Sequence, residues 1–118
     1  MTTKECYEEI GSNYESVLGR FGSEALVKRF ALKFLKDPSY AELSEALEAR
    51  DAERAFRAAH TLKGVCLNLG FDRLYEISAD MTEDLRGRDI NGGDRLFSEL
   101  TTCYEQLTDV IRQLEAEA

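Results

Sequence analysis

The chain has no tryptophan, one proline, one histidine and no apolar run long enough to span a bilayer or to form a signal-peptide core. Each shortage excludes something. Without a membrane-length run, the expected protein is soluble and cytoplasmic, with no membrane insertion. Scarce proline and absent tryptophan, beside abundant Ala, Leu, Glu and Arg, favour helices over sheets. Cys6, Cys66 and Cys103 are odd in number and lack any Cys-x-x-Cys pair, so they support neither a disulfide framework nor a zinc site and read as reduced thiols. A metal site on the single histidine, His60, would lack companion ligands at helical spacing. Basic residues are short too: 15 Lys and Arg against 23 Asp and Glu leave a formal charge of −8, which argues against binding nucleic acid or an anionic membrane.

At 118 residues and 43% hydrophobic, the chain is sized for one domain, residues 1–118, with one core. Thr2-x-x-Glu5 is a capping box opening a short helix, and a second short helix begins near Asn13. Ser23 caps a third, on which Leu26, Val27, Phe30, Ala31, Phe34 and Leu35 recur at helical spacing. The phase resumes after Asp37-Pro38 with Tyr40, Leu43 and Leu47, predicting one kinked helix or two roughly collinear ones. Asp51 opens the next helix, expected over 51–69, with Gly70 just past its end. A helix over 72–86 buries Leu74, Ile77, Met81 and Leu85 and stops at Gly87. Asn91-Gly92-Gly93 reads as a flexible turn and Asp94 as the start of the last helix, whose Leu96, Leu100, Cys103, Leu107, Val110 and Leu114 form a coiled-coil-like seam. Short connections make sequential helices antiparallel. The expected fold is therefore all-α: an up-and-down antiparallel four-helix bundle with short N-terminal helices packed across one end.

The segment from Ala58 to Gly70 holds the histidine. At about 100° per residue, Ala55, Ala58, Leu62, Cys66 and Leu69 share one stripe, while His60 lies about 200° from Leu62 and faces away from the core. Phe56, Arg57, Lys63, Gly64 and Leu67 flank the imidazole, three or four residues being one helical turn. Gly64 is the odd choice, since mid-helix glycine costs roughly 1 kcal/mol relative to alanine. Either a neighbouring helix packs there or a second surface must approach His60, and its place on the histidine side favours the second. Around it, Arg54, Arg57, Lys63 and Arg73 outnumber Glu53 and Asp72, a basic patch on an acidic body that suits a partner with an acidic site. A neutral imidazole, with an intrinsic pKa of about 6.5, is a competent nucleophile. Phosphoryl transfer rewards positioning and positive charge, which Lys63 can supply. The chain shows neither a P-loop nor a glycine-rich nucleotide loop, hence no kinase machinery of its own.

His60-x-x-Lys63-Gly64 closed by Gly70, with Ala58-Ala59 before the histidine and Asn68-Leu69 before the last glycine, resembles the phosphorylation-site motif of the histidine-containing phosphotransfer (HPt) domain family. Leu18-Gly19-Arg20-Phe21-Gly22 and the amphipathic run after it resemble the family's approach to its first bundle helix, usually one long helix where Pro38 interrupts here.

The resemblance implies a phosphorelay intermediate in two-component signal transduction. His60 takes a phosphoryl group from the aspartate of a receiver domain, usually of a hybrid sensor histidine kinase, and passes it to another receiver aspartate. The receivers bring the Mg²⁺, and this chain has no cofactor of its own and no autonomous kinase activity. Carried over, His60 is the phosphoacceptor, Lys63 its electrostatic partner and Gly64 the clearance position, with Phe56, Arg57, Leu67 and Asn68 as contact rim. Thr82 stands where family members often carry a carboxylate or amide that orients the imidazole, and threonine is shorter. The expected state is a monomer, and Met1 with a tidy end at Ala118 points to a freestanding protein. The rival readings are a helical adaptor that docks receivers without accepting phosphate, and a phosphoacceptor domain cut from a larger kinase.

Overall fold

The computed structural model describes residues 1–116, which form seven α-helices. These are α1 (Thr3–Glu9), α2 (Tyr14–Phe21), α3 (Glu24–Lys33), α4 (Ser39–Glu48), α5 (Ala52–Leu69), α6 (Asp72–Arg86) and α7 (Ile90–Ala116). Side-chain caps fix most of the starts. Thr2 and Glu5 exchange both bonds of a capping box, at 2.8 and 3.1 Å. Asn13, Ser23 and Asp51 each accept the N–H three residues on, satisfying a donor that the first turn leaves without a partner.

α4 to α7 run up and down as an antiparallel four-helix bundle, α4 packing on α5, α5 on α6, α6 on α7 and α7 back on α4. The first bundle helix is in two pieces: α3 tightens into a 3-10 turn, Phe34–Lys36, before Pro38. Asp37 then caps α4 by accepting the Ser39 N–H at 2.9 Å. Buried Val27, Ala31, Phe34, Leu43, Leu62, Cys66, Leu74, Met81, Leu100 and Ile111 fill the core.

α1 and α2 lie across the end where α5 finishes. The Tyr7 hydroxyl donates to the Leu69 carbonyl at 2.7 Å, and Arg20 Nη2 donates to the Leu67 and Asn68 carbonyls at 3.2 and 3.1 Å. These bonds satisfy acceptors that a helix C-terminus lacks partners for, and the guanidinium sits at the negative end of the dipole. Gly70, at φ 72°, turns the chain; a Cβ there would run into Val17 of α2.

Two sequence expectations need correction. Asn91-Gly92-Gly93 is not a flexible turn but the first turn of α7, which starts at Ile90 rather than Asp94. The connection is Gly87–Asp89, with Arg88 rather than a glycine in the left-handed region at φ 65°. Asp89 caps the new helix by accepting the Gly92 N–H at 2.9 Å. A Cβ on Gly93 would sit 3.1 Å from Leu85 and 3.3 Å from Leu47, so the glycine lets the helix start lie flush on its neighbours. The seam of α7 also differs. Ile111, not Val110, is buried beside Leu100, Cys103, Leu107 and Leu114; Leu96 is half-buried and Val110 lines a side hollow with Ile10, just past α1.

All three cysteines are free and buried. Burial, helped by Glu9, pushes the Cys6 thiol up to about 11, and burial raises Cys66 and Cys103 as well. Because the thiolate is the reactive form, a thiol reagent at mildly alkaline pH should label the native protein slowly and all three thiols at once after denaturation. Fast labelling of the native protein would contradict this packing.

Candidate functional site

The phase of α5 is set by the alanines and leucines that face inward: Ala55, Ala58, Ala59, Leu62, Cys66 and Leu69 are buried. That leaves His60 on the outer face, exposed to solvent. Among the described residues no hydrogen bond or ion pair holds its ring. The imidazole instead lies nearly parallel to the half-buried Phe56 ring, 9° between planes and 5.9 Å between centroids. The Arg86 guanidinium of α6 sits 5.0 Å from the centroid of Phe56, and its Nε donates to Glu83 at 3.3 Å. A stack of Arg86, Phe56 and His60 thus ties α6 to the histidine face, with the cation on the aromatic ring contributing on the order of 0.5–1 kcal/mol at an exposed site.

Lys63, one turn beyond His60, is half-buried and among the described residues has no carboxylate partner, so its ammonium is uncommitted. Gly64 is clear on the outside: a Cβ built there would meet nothing within 4 Å. Internal packing therefore does not explain this glycine. Leu67 is 54% exposed and Asn68 is exposed, continuing the histidine face toward the end of the helix.

Two sequence-read residues stand apart. Arg57 pairs with Glu53 at 3.0 Å and lines the α4 side of the helix with Arg54 and Thr61. Thr82 is fully buried and donates its hydroxyl proton to the Ser78 carbonyl at 2.6 Å, so the contact to the ring comes from Phe56 and not from Thr82. The sequence reading missed Arg86 and Arg20. Arg86 was discoverable, because it and Phe56 are equally far from Phe71, where the α5–α6 hairpin turns. Arg20 reaches α5 only through the tertiary packing of α2.

Among the described residues no cluster of three or more His, Cys, Asp or Glu is arranged to hold a metal ion, and no helix is long and apolar enough to cross a membrane. No curated protein and no solved structure matches the chain. A family model described as Hpt domain matches residues 39–116, which takes in α4 to α7 and the whole histidine helix and leaves α1 to α3 outside. With well over half of its length matched and a four-helix bundle presenting one outward histidine, the chain belongs to the Hpt domain family.

Proposed function

We propose that this protein is a phosphorelay intermediate whose single domain, residues 1–118, accepts a phosphoryl group on His60 from the aspartate of one receiver domain and passes it to the aspartate of another. The observation that carries this reading is the exposed, unbonded imidazole on the outer face of α5, with an uncommitted ammonium one turn away and open space at Gly64.

In the forward step the lone pair of the unprotonated ring nitrogen attacks phosphorus. The N–P bond forms as the acyl O–P bond breaks, and the electron pair leaves with the donor aspartate as carboxylate. Transfer onward is the same step reversed at a second carboxylate. Charge gathers on the equatorial phosphoryl oxygens during the loose transition state, where Lys63 supplies positive charge. Mg²⁺ belongs to the receiver, and this chain contributes no cofactor. Phe56 holds the plane of the ring, Gly64 leaves clearance, and Leu67 and Asn68 extend the contact face, with Arg57 at its edge. Family membership supplies phosphotransfer in two-component signalling rather than kinase activity. We place the protein in the cytoplasm as a monomer, downstream of a hybrid sensor histidine kinase.

The test is phosphotransfer from each receiver domain of the source organism, charged with labelled phosphate in the presence of Mg²⁺. Label should move to this protein from at least one of them. A receiver that binds without delivering label would make the protein a docking adaptor instead. Lys63→Ala should slow transfer by about tenfold, roughly 1.4 kcal/mol of barrier, while leaving the thermal midpoint nearly unchanged because the ammonium has no internal partner to lose. A rate loss no larger than the stability loss would remove Lys63 from the chemistry.

A further inference from the structure

An attacking imidazole needs more than exposure, because the lone pair of its unprotonated nitrogen lies in the ring plane. Turning the ring about the Cβ–Cγ bond swings that lone pair through a cone, and only part of the cone is in line with a phosphoryl group held by a docked partner. This torsion joins an sp³ to an sp² atom and is broad unless something outside the side chain stops it. Among the described residues no hydrogen bond holds the His60 ring, and its one ring contact is the nearly parallel Phe56, 9° between planes.

Phe56 has the same freedom, since its ring turns on a bond of the same type. It is only half-buried, so the core does not lock it. The group that lies over it is the Arg86 guanidinium, 5.0 Å from the ring centroid. A base in the last turn of α6 suits the negative end of that helix whichever way it points. Arg86 points across the α5–α6 interface, and Glu83, three residues back, accepts its Nε–H at 3.3 Å. A planar guanidinium stacks on an aromatic face as no aliphatic neighbour can. The series Glu83, Arg86, Phe56, His60 thus leads from a carboxylate on α6 to the nucleophile on α5.

We infer that Arg86 is a positioning residue for phosphoryl transfer: lying over Phe56, it steadies the phenyl ring, the phenyl ring steadies the imidazole about its Cβ–Cγ bond, and the lone pair of His60 is aimed in one direction. This deepens the phosphorelay reading above and rests on it. Arg86 acts without touching the phosphoryl group, its charge being engaged by the Phe56 face and Glu83. A phosphoryl group carried by a docked receiver arrives along a fixed line, so a fixed lone pair helps there as it cannot help with a donor free to tumble.

The experiment uses the full chain with Arg86→Ala, Arg86→Lys, Phe56→Leu and the double variant Arg86→Ala/Phe56→Leu. Thermal melts check each fold, and Arg86 is exposed, so its loss leaves the core intact. With the receiver that delivers label to the wild-type protein, Arg86→Ala should lower the maximal transfer rate by roughly three- to tenfold and leave the receiver concentration at half-maximal rate unchanged. Arg86→Lys keeps a cation for the ring face and should recover most of the loss. In the Phe56→Leu background, Arg86→Ala should add almost nothing, because a residue acting through another is not additive with it. Potassium phosphoramidate, from which the ring nitrogen displaces ammonia, can follow the lone pair wherever it points; uptake from it should fall by less than about twofold in Arg86→Ala. The single histidine gives a single pair of imidazole C–H signals in the proton NMR spectrum. At mildly alkaline pH, where an imidazole is neutral, Arg86→Ala and Phe56→Leu should both move that pair toward random-coil positions.

Equal losses with receiver and with phosphoramidate would make Arg86 a direct partner of the phosphoryl group. A raised half-maximal concentration at an unchanged maximal rate would make it a docking contact. Either result overturns the inference and leaves the relay standing, as do imidazole signals that stay in place in Arg86→Ala. If no receiver delivers label to the wild-type protein, the relay reading itself falls and takes the inference with it.

Discussion

Replacing His60 by glutamine is expected to abolish phosphate uptake completely while leaving the helical content and thermal midpoint where they are. The expectation of zero, rather than a reduced rate, follows from composition: there is one histidine in the chain, and the exposed imidazole has no substitute nucleophile of its kind. The expectation of unchanged stability follows from geometry. The ring makes no hydrogen bond among the described residues, and it touches the fold through a stack on Phe56 that the flat amide of glutamine can partly replace. The label on the wild-type protein should be lost in acid and kept in base, because protonating the nitrogen of a P–N bond makes it a better leaving group. Label that survives in the glutamine variant, or resists acid, would assign the phosphoryl group to another side chain.

Gly64 should give two effects of opposite sign. Its site is helical, and an added methyl group would meet nothing within 4 Å, so Gly64→Ala should stabilise the protein by roughly 0.5–1 kcal/mol. In a domain of this size that is a rise of about 2–6 °C in the melting midpoint. Gly64→Trp should fold equally well, since the new ring has only solvent to enter, and should weaken receiver binding by roughly tenfold or more by filling the space beside the imidazole. A glycine that lowers stability and is kept for the approach of another molecule predicts this combination. If alanine destabilises instead, the helix needs the glycine for itself; if tryptophan leaves receiver affinity intact, the docked surface does not come this close.

What could be read in advance was local. The limits of α5 are written in Asp51 and Gly70, and the outward phase of His60 in five small or aliphatic residues spaced by three and four, because caps and helical period act within one or two turns. What could not be read depended on contacts far apart in sequence. Gly92 and Gly93 looked like a turn because they are indistinguishable from turn glycines until the carboxylates of Asp84 and Asp89 are seen against the first and Leu47 and Leu85 against the second. Val110 and Ile111 are adjacent apolar residues, and only the packing shows that Ile111 turns inward while Val110 lines the hollow at Ile10. Phe30 and Leu26 recur at helical spacing with the buried residues of α3, but only Phe21 of α2 packs beside Phe30, and Phe30 and Leu26 stay exposed. Arg20 and Arg86 reach the histidine helix from α2 and α6, so their roles surfaced only with the packing.

The bareness of the imidazole bears on how long a signal lasts. With phosphate in place, as proposed above, the ring would have no hydrogen-bonding partner among the described residues, and Thr82 is sealed inside and engaged with Ser78. Spontaneous hydrolysis is then left to the intrinsic lability of the bond, and the residence time of the message is dictated by how often an acceptor arrives. On the relay proposed above, such a molecule would act as a reservoir, with any timing mechanism lodged in the proteins it exchanges with.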